Sequence, residues 1–285
     1  MYRPSLIALV LALVIATSQG IADQRTLTIG VFPRHSESTT LKMFTPLAQY
    51  LRERLGLPVE LLSATDFPAF WDLLKAGRVD LVHYNQYHYL KAHKLFGHRV
   101  ILRNEEAGKA SIRALIVARG DSALNSIEDL KGRRVLFGGG HDAMVSYILA
   151  SDVLHQHGLP AGDYLEVFSN TPVGAARDLF FGQADAAGIA DLVLTVDATP
   201  WKTLSAPPPR ILAASEPIAL HPWAVTPRVD QDLAERLTRV LLELNNSRAG
   251  REILHQAQLT GLRAASDQDY DPVRNIVARV LGEHY

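Results

Sequence analysis

TLTIGVF (residues 26–32) and VDLVHYNQYHY (residues 79–89) carry the reading that decides the fold. Each begins as a short aliphatic run and gives way to a helical period. After the first run, Leu41, Phe44, Leu47, Ala48, Leu51 and Leu55 recur on one face, which predicts a helix stopped by Gly56. Val59–Leu62 predicts a second strand, and residues 67–76 a second helix closed by Gly77. Residues 79–82 predict a third strand, which runs into a helix ending near Leu95. A βαβαβ order needs crossover connections, so it implies a mostly parallel sheet with helices on its faces.

The same grammar continues outward. Residues 111–118 (SIRALIVA) and 134–137 are strand-like, the latter running through Gly138-Gly139-Gly140 into a helix over residues 142–157. Residues 164–168, 184–189 and 211–214 read as strands and residues 173–181 as a helix. The rest reads as helical over residues 231–244, 249–255 and 272–281. The expected plan is two α/β lobes, lobe I from residues 23–110 and 216–285 and lobe II from residues 111–215. Hinge strands near residues 107–116 and 205–220 would join them. Such a plan leaves a cleft lined by strand C-termini and helix N-termini, where small ligands bind.

Composition narrows the class. The chain has 285 residues, 47% hydrophobic and 21% charged, with a formal net charge of -1. That balance suits a globular protein and provides no field for nucleic acid or anionic lipid. Residues 6–16 (LIALVLALVIA) follow Arg3 and precede Gly20-Ile21-Ala22, small residues that suit a signal peptidase. Residues 1–22 therefore read as a cleaved export signal, which places the mature protein in the periplasm. The apolar run is short for an anchor across roughly 30 Å of hydrocarbon. Cysteine is absent, which excludes a lipid-bearing Cys, a disulfide and a thiolate site. No GxSxG elbow and no HExxH pair occurs, so a binder without a cofactor is expected and not an enzyme.

Three clusters are candidates for binding. Gly139 and Gly140, with His141 and Asp142, lie between a strand and a helix, where backbone N–H groups and the helix dipole favour an anion. The same Asp142 reads as the helix N-cap. His83, Tyr84, Tyr87, His88 and Tyr89 fall within seven residues at a strand end, and their plainer reading is packing with polar tips wet. His221, flanked by Leu220 and Pro222 after the return crossover, is a third candidate. Asp191 follows the strand at residues 184–189 and reads more simply as an N-cap. Arg34 and Lys42 near the first helix can meet an anion.

These features resemble the PhnD-like phosphate/phosphite/phosphonate substrate-binding family of ABC importers, of the type II periplasmic-binding-protein fold. The resemblance rests on LTIGVF, FTPLAQYLRERLG (residues 44–56), AGRVDLVHYNQYHYLKA (residues 76–92), SIEDLKGRRVLFG (residues 126–138), FFGQADAAGI (residues 180–189) and DQDYDPVR (residues 267–274). It implies a ligand-binding role for Tyr89, and places the family's hydroxyl-rich phosphonate turn on HDAMV (residues 141–145), where the hydroxyls are gone. It further places a family His near Pro172, beside Asn170 and Thr171, a family acid at about His221, and another acid at Asp191.

The expected function is capture of a small oxyanion for an ABC permease, by a monomer with no nucleic-acid partner. Two alternatives stand beside it. His83, His88, His141 and His221, with the nearby phenols, suit a metal ion or metal chelate. A sensory subunit handing its occupied state to a membrane kinase would have the same sequence signature.

Overall fold

A computed structural model describes residues 25–195, 200–204 and 206–285, so the expected leader, residues 1–22, lies outside the described residues. The chain begins with β1 (Leu27–Val31), α1 (Glu37–Leu55), β2 (Val59–Leu62), α2 (Phe67–Lys75), β3 (Leu81–His83), α3 (Gln86–Phe96) and β4 (Arg99–Glu105). The middle holds β5 (Ser111–Ile112), β6 (Ala114–Ala118), β7 (Arg134–Gly138), α4 (Ala150–Gln156), β8 (Leu165–Ser169), α5 (Pro172–Phe180), β9 (Ala186–Ala190), α6 (Pro200–Thr203) and β10 (Arg210–Ala214). It ends with β11 (Ile218–Ala219), β12 (Pro222–Val225), α7 (Gln231–Glu243), α8 (Arg248–Gln256), β13 (Gly261–Ala264) and α9 (Asp271–Leu281).

The strands form two main sheets and one short ladder. The first sheet has the order β13-β4-β12-β3-β1-β2, and the second β10-β6-β9-β7-β8. In each sheet a parallel half, β2-β1-β3 or β8-β7-β9, is continued by antiparallel strands. The two lobes built on these sheets are joined by the β5–β11 ladder, which pairs Ser111 with Ala219 and Ile112 with Ile218.

Local chemistry explains the elements. β1 is buried at every position, as a strand covered by helices on both faces must be. Ser36 caps α1 through the Thr39 N–H, and Gly56 ends it in the left-handed region at φ 67°. The apolar face of α1 (Phe44, Leu47, Leu51) joins Leu27, Ile29 and Val31 with Leu237 and Leu241 of α7 in one core. A second core packs α5 (Ala175, Leu179) on β6, β7 and β9. A third is continuous between the lobes, from Phe70 and Tyr84 to Phe137 and Met144.

Three strands were not legible in the sequence, β4, β12 and β13, while β11 falls within the hinge expected near residues 205–220. β12 is a short run that begins with a proline, a poor strand signal. It nevertheless sits mid-sheet between β3 and β4. A strand's first residue is where a missing N–H is tolerated, and the Pro222 carbonyl still accepts from the Tyr84 N–H at 2.9 Å.

Candidate functional site

A cavity of about 60 Å³ lies between the two sheets. One water needs roughly 10–15 Å³ on a comparable measure, so a compact molecule fits and a drug-sized one does not. The first lobe contributes Phe32, Arg34, Phe67, Asn85, Gln86 and His221. Ile112 comes from the joining ladder, and residues 143–146 and Ala190 come from the second lobe.

The second-lobe wall is a helix start. Residues 144–149 form a π-helical turn that continues into α4, giving one helical run from Met144 to Gln156. Asp142 was expected to cap it. Instead Ala143 occupies the N-cap position and no side chain caps the run. Asp142 is turned across the cleft, its carboxylate 3.7 Å from His88 Nε2 and its carbonyl accepting from Asn85 Nδ2 at 3.1 Å. The first N–H groups of a helix, here those of Met144, Val145 and Ser146, have no acceptor within it. β9 holds this turn tightly, because a Cβ on Gly188 would lie 2.7 Å from the Ser146 carbonyl oxygen.

The first-lobe wall is a buried polar chain. Trp223 Nε1 donates to Asn104 Oδ1 at 2.9 Å, which fixes the amide and makes Asn104 Nδ2 the donor to Glu106 (2.9 Å) and His83 Nε2 (3.0 Å). Glu106 also accepts from both terminal nitrogens of Arg34 at 3.1–3.3 Å, and from His221 Nδ1 at 3.0 Å. Burial pushes the Glu106 carboxyl up, but Arg34 and the His221 and Asn104 hydrogen bonds outweigh it and hold it well below the usual carboxylate range. Burial holds both His83 and His221 below the ordinary histidine range. The wall therefore presents an ionised carboxylate, a guanidinium with N–H groups to spare, and two neutral imidazoles. Glu106 was not among the residues singled out from sequence, and its partner Arg34 lies 72 positions away.

Of the expected ligand residues, His221 lines the cavity. The phenols of the 83–89 stretch are committed elsewhere. Tyr84 OH meets His98 Nδ1 at 2.6 Å, Tyr87 OH donates to Glu283 at 2.8 Å and Tyr89 OH to Asp267 at 2.7 Å. The intervening amides Asn85 and Gln86 face the cavity instead. Gly139 and Gly140 make the turn before the helix, at φ 84° and 80°, conformations that favour glycine. His141 packs on Tyr147 and Phe168 and meets Glu166 at 3.4 Å. Asn170 is exposed, and Thr171 caps α5 through the Gly174 N–H. Asp191 accepts from the Arg113 N–H at 3.2 Å and meets Lys109 at 3.5 Å.

The metal reading is not supported by this geometry. Among the described residues no three His, Asp or Glu side chains converge as ligands for a metal ion. His83 Nε2 is occupied by Asn104, and His221 Nδ1 by Glu106. His88 sits against Phe67 and Trp71 with Nδ1 on Asn85 Oδ1 at 2.9 Å. His141 belongs to the aromatic cluster just described.

Comparison with known proteins gives a consistent result. The profile of a family described as "ABC transporter, phosphonate, periplasmic substrate-binding protein" matches residues 29–270. The phosphate-import protein PhnD of Mycolicibacterium smegmatis is 25% identical over 126 residues, which is 42% of this chain and 38% of that relative. The match thus spans well under half of the relative's length. PhnD1 from Prochlorococcus marinus, solved in complex with methylphosphonate, superposes with a TM-score of 0.78 at 15% identity, covering 91% of this chain and 100% of that one. A binding component of an ABC phosphonate transporter from Pseudomonas aeruginosa gives a TM-score of 0.77 at 16% identity, covering 91% and 87%. At such identities the two structures establish the fold, that of type II periplasmic binding proteins.

Proposed function

Since the chain belongs to the phosphonate family of periplasmic substrate-binding proteins of ABC transporters, we propose that it captures a small phosphorus oxyanion, phosphate- or phosphonate-like, between its lobes and delivers it to a membrane permease. One observation carries the reading. An uncapped helix start, residues 144–146, lines a small cavity faced by Arg34 and His221. Backbone donors at a helix N-terminus opposite a guanidinium form an anion site without any of the lost hydroxyls.

In this reading residues 1–22 export the chain to the periplasm, and it works there by binding and not by catalysis. Residues 23–110 with 216–285, and residues 111–215, move as the two jaws. The fit of a small ligand supports this over a metal chelate, whose ligand set does not assemble among the described residues. A thermal-shift and calorimetric screen of phosphate, phosphite, methylphosphonate and sulfate tests it. At least one phosphorus oxyanion should bind with a stoichiometry of one. A flat response to all three removes the proposal.

A further inference from the structure

The ligand cavity presents acceptors as well as donors. Gln86 lines it and is wholly buried. Its Nε2 donates to the Ala219 carbonyl at 2.8 Å. A carbonyl only accepts, so the amide cannot be flipped. Gln86 Oε1 is then a buried acceptor that meets no donor among the described residues. Such an atom is costly to leave unmet.

His221 repeats the pattern. The Glu106 carboxylate accepts from Nδ1–H, which leaves Nε2 of the neutral ring as an acceptor. Neutrality follows from the geometry. Glu106 already offsets Arg34, and a proton added to His221 would set two cations beside one buried anion. The groups that face His221 are Arg34, Glu106 and His83, whose ring centroid lies 6.0 Å away. The second-lobe wall, residues 143–146 and Ala190, carries no titratable side chain.

We propose that the ligand is an oxyanion bearing its own O–H, which donates to Gln86 Oε1 or His221 Nε2 while its other oxygens accept from Arg34 and the N–H groups of residues 144–146. A hydrogen-phosphonate monoanion has this group. A sulfonate of the same size and charge lacks it. Gln86 and His221 thereby set specificity, selecting the protonated phosphorus oxyanion against its sulfur isostere. The inference rests on the oxyanion reading above.

Titration calorimetry of the whole protein tests it. Methylphosphonate and methanesulfonate are compared at about pH 6, and methylphosphonate again at about pH 9, where its second proton is largely lost. Methylphosphonate should bind at least about a hundredfold more tightly than methanesulfonate at the lower pH, and its own affinity should fall about tenfold or more at the higher one. Gln86→Leu should weaken methylphosphonate relative to methanesulfonate and so narrow the gap between them. Equal binding of the two, or a phosphonate affinity indifferent to pH, overturns the inference and leaves the oxyanion reading standing. Binding of neither removes both.

Discussion

Glu106 is held by three donors at once, and Glu106→Gln separates what the carboxylate does for the fold from what it does for the ligand. The substitution keeps the shape and removes the charge beside Arg34. Breaking a buried pair on one side costs about 3–5 kcal/mol, and because Arg34 keeps some contact with water about 2–3 kcal/mol is expected here. Arg34 would then face the cavity with its charge uncompensated, so a dianion such as sulfate should bind more tightly than to the wild type. Denaturant unfolding and sulfate titration read the two effects, and weaker sulfate binding would show that Glu106 does not offset Arg34. His98 gives a pH dependence. Burial lowers it to about 4 from 6.5. The unfolded chain therefore takes up the proton first, and stability present above about pH 6.5 is lost progressively as pH falls toward 4. The loss attributable to His98 is up to about 3 kcal/mol, and His98→Gln should flatten that part of a stability-versus-pH profile. At this scale the sequence was only partly legible. The 83–89 stretch stood out by its polar aromatics, yet the phenols turn to His98, Glu283 and Asp267 while the amides between them line the cavity. Glu283 and Asp267 lie at the far end of the chain, and no local pattern in residues 83–89 names them.

Elements were more legible than their ends. The hydrophobic period of α1 and the aliphatic run of β1 were readable because each buries a face that only its own spacing can supply. The start of the helix after Gly140 was misread, because an Asp at a helix entry usually caps it, and here a contact across the cleft competes for the same carboxylate. Thr171 shows the opposite outcome. Resemblance put it beside a ligand position, while its hydroxyl accepts from the Gly174 N–H at 3.1 Å at the start of α5. Thr171→Ala should cost about 1 kcal/mol, the ordinary value of an N-cap, with ligand affinity unchanged. A clear loss of affinity without loss of stability would return Thr171 to the binding site.

In the proposed reading the two lobes part and close around a ligand, and the connections between them say where such a motion would bend the molecule. The β5–β11 ladder has only two residue pairs, so a rotation there disturbs few hydrogen bonds. The two-lobe plan and its hinges were readable from alternating strands and helices, but β12 was not, because it is short and begins with a proline. One further tie could not be read from the sequence at all. The C-terminal helix α9 packs on both α3 and α4, and Arg279 holds Asp152 of α4 through two hydrogen bonds of 3.0 and 2.9 Å. Asp152 is buried while Arg279 is half-exposed, so losing the guanidinium leaves a carboxylate held, among the described residues, by Gln156 alone. If this tie helps hold the jaws shut, Arg279→Ala should lower the population of the closed form, and apparent affinity falls in proportion to that population. Small-angle scattering without ligand should then give a larger radius of gyration than the wild type, with the difference vanishing at saturating phosphonate, and the dissociation constant should rise several-fold. A protein destabilised by about 2 kcal/mol with unchanged scattering and unchanged affinity would mean that α9 moves with the second lobe as one body, and that closure depends on the contacts of Asp142 with Asn85 and His88 instead.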